Sequence, residues 1–155
     1  MITKTDKHQY FFEVELAHTT GRKGILSAKD VTGTIEIATA PEFKGGVPGT
    51  WTAEHLFLGA VSSGFMAAYL AIAEKKELPI TNITCSCIGQ INLYESHLEF
   101  TCINLYPKIY IERDDDIALA NEILLSAYKH SIAANSVNAL LINHGEVVVE
   151  KNAVV

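Results

Sequence analysis

The alternation of apolar and polar positions divides the chain into strands and helices before any chemistry is considered. Phe12, Val14 and Leu16 alternate with Glu13 and Glu15, the two-residue period of a half-buried strand. Thr19 to Gly24 supplies a turn, Ile25 and Leu26 start a second strand, and Ile35 and Ile37 alternate again after a turn at Asp30 to Gly33. Pro41 to Gly49, with three glycines and two prolines, is a loop.

From Trp51 to Pro79 the period becomes helical. Thr52 suits an N-cap, Glu54 falls in the first turn, and Trp51 and Leu56 have the spacing of a hydrophobic staple. Pro79 marks the end. Ala60, Gly64, Ala67 and Ala71 recur at helical spacing and form a stripe of small residues that lets another helix approach closely. Leu56 to Ala73 carries no charge, which reaches the lower edge of membrane-spanning length, roughly 18 residues. The segment is rich in Ala, Gly and Ser, including Ser62 and Ser63, and so gains little from lipid. A helix buried in protein is expected, with no membrane partner.

Ile83 to Glu112 reads as about three further strands, with Cys85 and Cys87 on one face and Leu98, Phe100 and Cys102 on another. A turn falls at Glu95 to His97. Asp114, Asp115 and Asp116 open a second helix at its positive end. Its apolar face runs Ile117, Ala120, Leu124, Ala127 and Ser131, with Lys129 and His130 in the last turn. Val147 and Val149 form a last strand. Strands grouped between helices predict an α+β class with antiparallel sheets, in a single domain over residues 1–155.

Charge narrows the function. The net charge is −6, from 12 Lys plus Arg against 18 Asp plus Glu, and no basic run exists, so no nucleic-acid partner is expected. No signal peptide is visible, and three cysteines without C-x-x-C spacing suit a reducing, cytoplasmic setting. No H-x-x-x-H or similar spacing converges, so neither a metal nor another cofactor is expected. Ser62, Ser63 and Ser131 lack a G-x-S-x-G elbow, which argues against a serine nucleophile.

Three motifs carry a family resemblance. Glu54, Leu56, Ala60 and Phe65 fall in register with the central helix of the OsmC/Ohr family, the osmotically inducible and organic-hydroperoxide-resistance proteins of bacteria. T-T-G-R-K-G-I-L-S, from Thr19 to Ser27, resembles that family's arginine turn and matches Arg22 to the peroxide-site arginine. A-Y-K-H-S-I-A-A-N-S-V, from Ala127 to Val137, resembles the run that carries the resolving cysteine. The resemblance implies an OsmC-like fold, with two long helices at the centre of an intertwined homodimer.

It also implies a thiol peroxidase whose two cysteines are missing. Gly64 occupies the peroxidatic position and Ser131 the resolving one, and no cysteine lies anywhere from Thr52 to Thr84. Peroxide reduction needs a thiolate that becomes a sulfenic acid and then a disulfide, and neither glycine nor serine does this. The expected function is therefore a stress-related OsmC-like protein that is not a thiol peroxidase. It binds a small organic or anionic ligand at Arg22, Glu54, His55, Gly64, His130 and Ser131.

Two bland readings stand beside that one. Arg22 and Glu54 form a turn-fixing ion pair, or Arg22 leaves a donor-rich spot for an anion. Gly64 permits close helix contact, or it opens room for a ligand. The alternative function is an organic hydroperoxide reductase using a relocated thiol, Cys85, Cys87 or Cys102, although free cysteines are more often small buried hydrophobes.

Overall fold

In a computed structural model, which describes residues 9–151, the described residues form two compact units that divide between His55 and Leu56. The first unit is built on an antiparallel three-stranded sheet: β1 (Glu15–His18), β2 (Lys23–Ser27) and β3 (Ile35–Ala38). Leu16 lies opposite Leu26, and Ile25 opposite Glu36. The alternation at Phe12 and Val14 does not extend the first strand, which starts at Glu15. Both side chains are exposed, as is every residue of β1, so within this unit nothing covers the apolar side that the pattern implies.

The long helix α1 (Ala53–Lys75) follows. Its start is a capping box in which histidine replaces the usual acid. The His55 N–H donates to Thr52 Oγ1 at 3.3 Å, and the Thr52 N–H donates back to His55 Nδ1 at 3.2 Å. Its end is a Schellman motif: Leu78 N–H donates to Ala73 O at 2.9 Å and Glu77 N–H to Glu74 O at 3.1 Å. Leu78 and Ala73, both buried, make the accompanying apolar contact. Glu77 is left in the left-handed region at φ 55°, where a side chain is strained and glycine is not. Glu77→Gly is therefore expected to raise stability by about 1 kcal/mol, read as a higher urea midpoint at unchanged slope.

In the second unit, α1 lies on a four-stranded mixed sheet. Two long strands replace the expected three: β4 (Asn82–Tyr94) and β5 (His97–Ile111), paired antiparallel around a two-residue turn at Glu95 and Ser96. β5 runs straight through Pro107. On its other side β5 pairs with β6 (Leu140–Asn143) over Cys102 to Leu105, then with β7 (Glu146–Val149) over Lys108 to Ile111. Tyr106 and Pro107 fall between those two ladders, where a residue without an N–H is tolerated. Both ladders on that side are parallel, so the antiparallel expectation holds for β1–β3 and for β4 with β5 but not for β6 and β7.

The second helical region is not one long helix. A 3₁₀ turn at Asp114–Asp116 leads into α2 (Ile117–Ser126), a second 3₁₀ turn covers Ala127–His130, and the short α3 (Ile132–Asn135) follows. Phe65, Tyr69 and Ala73 of α1 pack with Ile109 and Ile111 of β5 and with Ala120, Ile123 and Leu124 of α2. A second cluster joins Val61 to Ile103 and Leu105. The buried α1 residues Val61, Phe65, Tyr69 and Ala73 recur every four positions, a single stripe down one face. By length and composition α1 is apolar enough to cross a membrane. The rest of its circumference carries Phe57, Met66 and Leu70, each more than a third exposed, and the small residues Ala60, Ala67 and Ala71.

Tyr69 anchors this core. Its hydroxyl, wholly buried, donates to Ala120 O at 3.0 Å, and burial pushes the phenol from 10.0 up to about 12. The folded chain thus holds this proton more tightly than the unfolded chain. The associated stability is complete below about pH 10 and is lost as pH rises towards about 12. Alkaline melts should show about 2 to 3 kcal/mol lost across that window. In Tyr69→Phe this part of the slope vanishes, while about 1 kcal/mol is lost at neutral pH with the hydrogen bond.

Candidate functional site

Gly64 and Ser131, far apart in sequence, face each other within the second unit. A Cβ built on Gly64 would lie 2.7 Å from Ser131 Oγ and 3.3 Å from Ala133 Cβ. The space beside Gly64 is thus taken by the Ser131 hydroxyl and the Ala133 methyl. The glycine allows α1 to meet the start of α3 closely, and it does not open a cavity at that point.

Ser131 is not on the apolar face of a continuous helix, as its spacing from Ala127 suggests. With φ −79° and ψ 122° it is extended, and it is the N-cap of α3. Its Oγ accepts the Ala134 N–H at 3.3 Å, and the residue is 1% exposed. Ser131 thus serves as a capping hydroxyl. The preceding 3₁₀ turn ends at His130, whose side chain is exposed. Ser62 and Ser63 donate to Gly59 O at 3.2 and 2.6 Å, bonding back into their own helix. No histidine hydrogen-bonds to a serine among the described residues, so none carries a nucleophile–base pair.

The remaining expected residues belong to the first unit. Arg22 follows Gly21, which takes φ 56° in the turn between β1 and β2. A Cβ built on Gly45, itself at φ 81°, would lie 3.2 Å from Arg22 Nε, so the guanidinium stem lies flat on the loop backbone. Arg22 is exposed, and among the described residues it forms no ion pair with half-buried Glu54. The reading as a turn-fixing pair is thereby set aside. His55 Nδ1 sits 3.0 Å from Thr52 Oγ1 and accepts the Thr52 N–H, so the neutral ring carries its proton on Nε2. Trp51 stands edge-on to that ring at 6.0 Å. The capping role of His55 was missed, although T-x-x-H has the spacing of a capping box. No group of three or more His, Cys, Asp or Glu side chains converges among the described residues.

Comparison with protein-family models and with curated proteins gives no match. Solved structures do match. An OsmC-like protein of unknown function from Vibrio cholerae is 16% identical with a TM-score of 0.77, over 90% of this chain and 100% of that one. An organic hydroperoxide resistance protein from Elizabethkingia anophelis is 17% identical with a TM-score of 0.71, over 93% and 99%. One from Vibrio cholerae is 16% identical with a TM-score of 0.66, over 93% and 96%. The fold is OsmC-like.

Within this OsmC-like fold the three cysteines are free and partly buried. The register separates them. Gln90 pairs with Cys102 and Ile91 with Phe100, so Thr101 is an extra residue in β5, a bulge. Pairing with Ile91 puts Phe100 on the sheet face shared by Cys85, Cys87 and Gly89, while Cys102 lies with Gln90 on the opposite face. The expectation that Leu98, Phe100 and Cys102 share one face fails because of this bulge. Neither Cys85 nor Cys87 can form a disulfide with Cys102 through the sheet.

Cys85 and Cys87 pack against Val61, Ile103 and Leu105. Burial pushes the Cys85 thiol above its usual 9.0. Burial, helped by neighbouring Cys85, pushes Cys87 up to about 11. A thiol of that pKa is ionised in about one molecule in ten thousand at neutral pH, the reverse of what a peroxidatic cysteine needs. Asn104 Nδ2 approaches Cys102 Sγ at 3.6 Å.

Proposed function

We propose that this chain is an OsmC-like protein of the stress response that has left thiol peroxidase chemistry and keeps a small-ligand role. The observation that carries the reading is the contact between Gly64 and Ser131. These are the two positions at which the resembling family carries its thiols. They meet in space, and neither can be oxidised through a sulfenic acid to a disulfide. The raised thiols of Cys85 and Cys87 argue against a relocated nucleophile. Exposed Arg22, with no acid paired to it among the described residues, supports an anion or small organic ligand near Glu54 and His55. Among the similar structures, the Elizabethkingia protein holds a crystallant-derived thiocyanate, and the Vibrio hydroperoxide resistance protein holds captopril in one of its active sites.

The same proposal includes a cytoplasmic homodimer. The exposed apolar side of α1 is the kind of surface that a second copy covers.

Purified protein incubated with an organic hydroperoxide and a dithiol reductant is expected to show no turnover above the uncatalysed rate. Alkylating all three cysteines should change nothing. Turnover that disappears on alkylation would overturn the proposal in favour of a hydroperoxide reductase.

A further inference from the structure

A cleft of about 350 Å³ opens beside the 3₁₀ turn at Ala127–His130, lined by Leu105, Leu125, Tyr128, Lys129, Leu141 and Asn143. Three leucines supply its apolar wall, and polar groups make up about as much of the lining. Leu105 is buried at its base, Leu141 is half-buried, and Leu125 stands 70% exposed at its edge, a large aliphatic side chain with nothing over it.

The polar groups divide into two kinds. Asn143 braces the wall, since its Nδ2 donates to Leu124 O at 3.0 Å and its Oδ1 accepts the Gly145 N–H at 2.9 Å. The Tyr128 hydroxyl and the Lys129 ammonium are unengaged, as neither side chain has a hydrogen-bond or ion-pair partner among the described residues. The cleft therefore combines an aliphatic lining with one cation and one neutral donor on consecutive residues.

We propose that this cleft binds an aliphatic carboxylate of medium chain length. One negative charge matches one ammonium, with the phenol hydroxyl donating to the second carboxylate oxygen. A phosphate dianion would need more donors than the cleft supplies, and an alkyl ammonium would be repelled by Lys129. At interior packing density of about 0.75 the cleft holds roughly 260 Å³ of atoms, enough for a chain on the order of ten carbons. Neither Gly64 nor Ser131 lines this site, and it does not depend on the absence of peroxidase activity.

The test is calorimetric titration of the whole chain with decanoate below its micellar concentration, with decanol and decylamine as comparison ligands. Saturable binding of one decanoate per chain is expected, at least tenfold tighter than decanol, with no binding of decylamine. Lys129→Gln should weaken decanoate at least tenfold and leave decanol unchanged. Tyr128→Phe should weaken decanoate by about threefold. An unchanged melting temperature in both variants would show that folding is intact. The proposal is overturned if decanoate does not saturate, if Lys129→Gln binds it as tightly as the parent chain, or if Arg22→Gln and not Lys129→Gln abolishes binding.

Discussion

In the proposed homodimer, Ala67→Glu is expected to break the association. Gel filtration with light scattering should return a single chain of 16.9 kDa for the variant and twice that mass for the parent. Ala67 lies on the side of α1 that the second unit leaves uncovered, in the stripe with Ala60 and Ala71. Within one chain a glutamate there meets only solvent, and glutamate is a good helix former, so folding of the chain is little affected. At an interface of small residues the same carboxylate has no room and no partner. Burying an unpaired charge costs several kcal/mol, enough to reverse association at micromolar concentration. A parent chain that already runs at 16.9 kDa would refute the dimer. A parent that sediments with lipid vesicles would instead assign the bare side of α1 to a bilayer.

The double variant Gly64→Cys/Ser131→Cys is expected to form a disulfide on mild oxidation. A Cβ at position 64 would lie 2.7 Å from the Oγ of residue 131. A disulfide requires Cβ atoms roughly 3.8 Å apart, which such an approach allows. Closing a loop of this length should stabilise the chain by about 4 kcal/mol, measured against its reduced form. Free-thiol titration would count three sulfhydryls in the oxidised protein, those of Cys85, Cys87 and Cys102, and five in the reduced protein. Five in both would mean that the two positions do not face each other in solution. Gly64→Ala alone should be destabilising. The added methyl displaces the Ser131 hydroxyl from the Ala134 N–H, and overpacking of about 1 to 3 kcal/mol outweighs the helix-propensity gain of about 1.

Most elements were legible because periodicity reports burial. Ile25, Ile37, Ile109, Ile111, Val147 and Val149 all fall in strands. Thr52 caps α1 as its position predicts. The misreadings have physical causes. The roughly three strands expected over Ile83 to Glu112 are two, because β5 continues through Pro107, whose missing N–H falls in the gap between β6 and β7. The face assigned to Cys102 was wrong because one extra residue, Thr101, inverts the alternation, and no propensity marks a bulge. Ser131 has the spacing of a helix face, but the extended backbone at that residue breaks the period. Its hydroxyl gave the signal, since serine is a preferred N-cap. The cleft at Tyr128 and Lys129 was not legible, because Leu105 and Leu141 reach it from strands whose register the sequence does not specify.

The position of β5 between β4 on one side and β6 and β7 on the other has a consequence for how the chain is made. Parallel partners cannot be supplied by a tight turn, so β5 must wait for the helical crossover and both short C-terminal strands. During synthesis the hairpin of β4 and β5 is complete when residue 111 emerges, yet one edge of β5 stays open until residue 149 has followed. Over that interval the strand that later becomes the most enclosed is an unpaired, aliphatic edge able to recruit another chain.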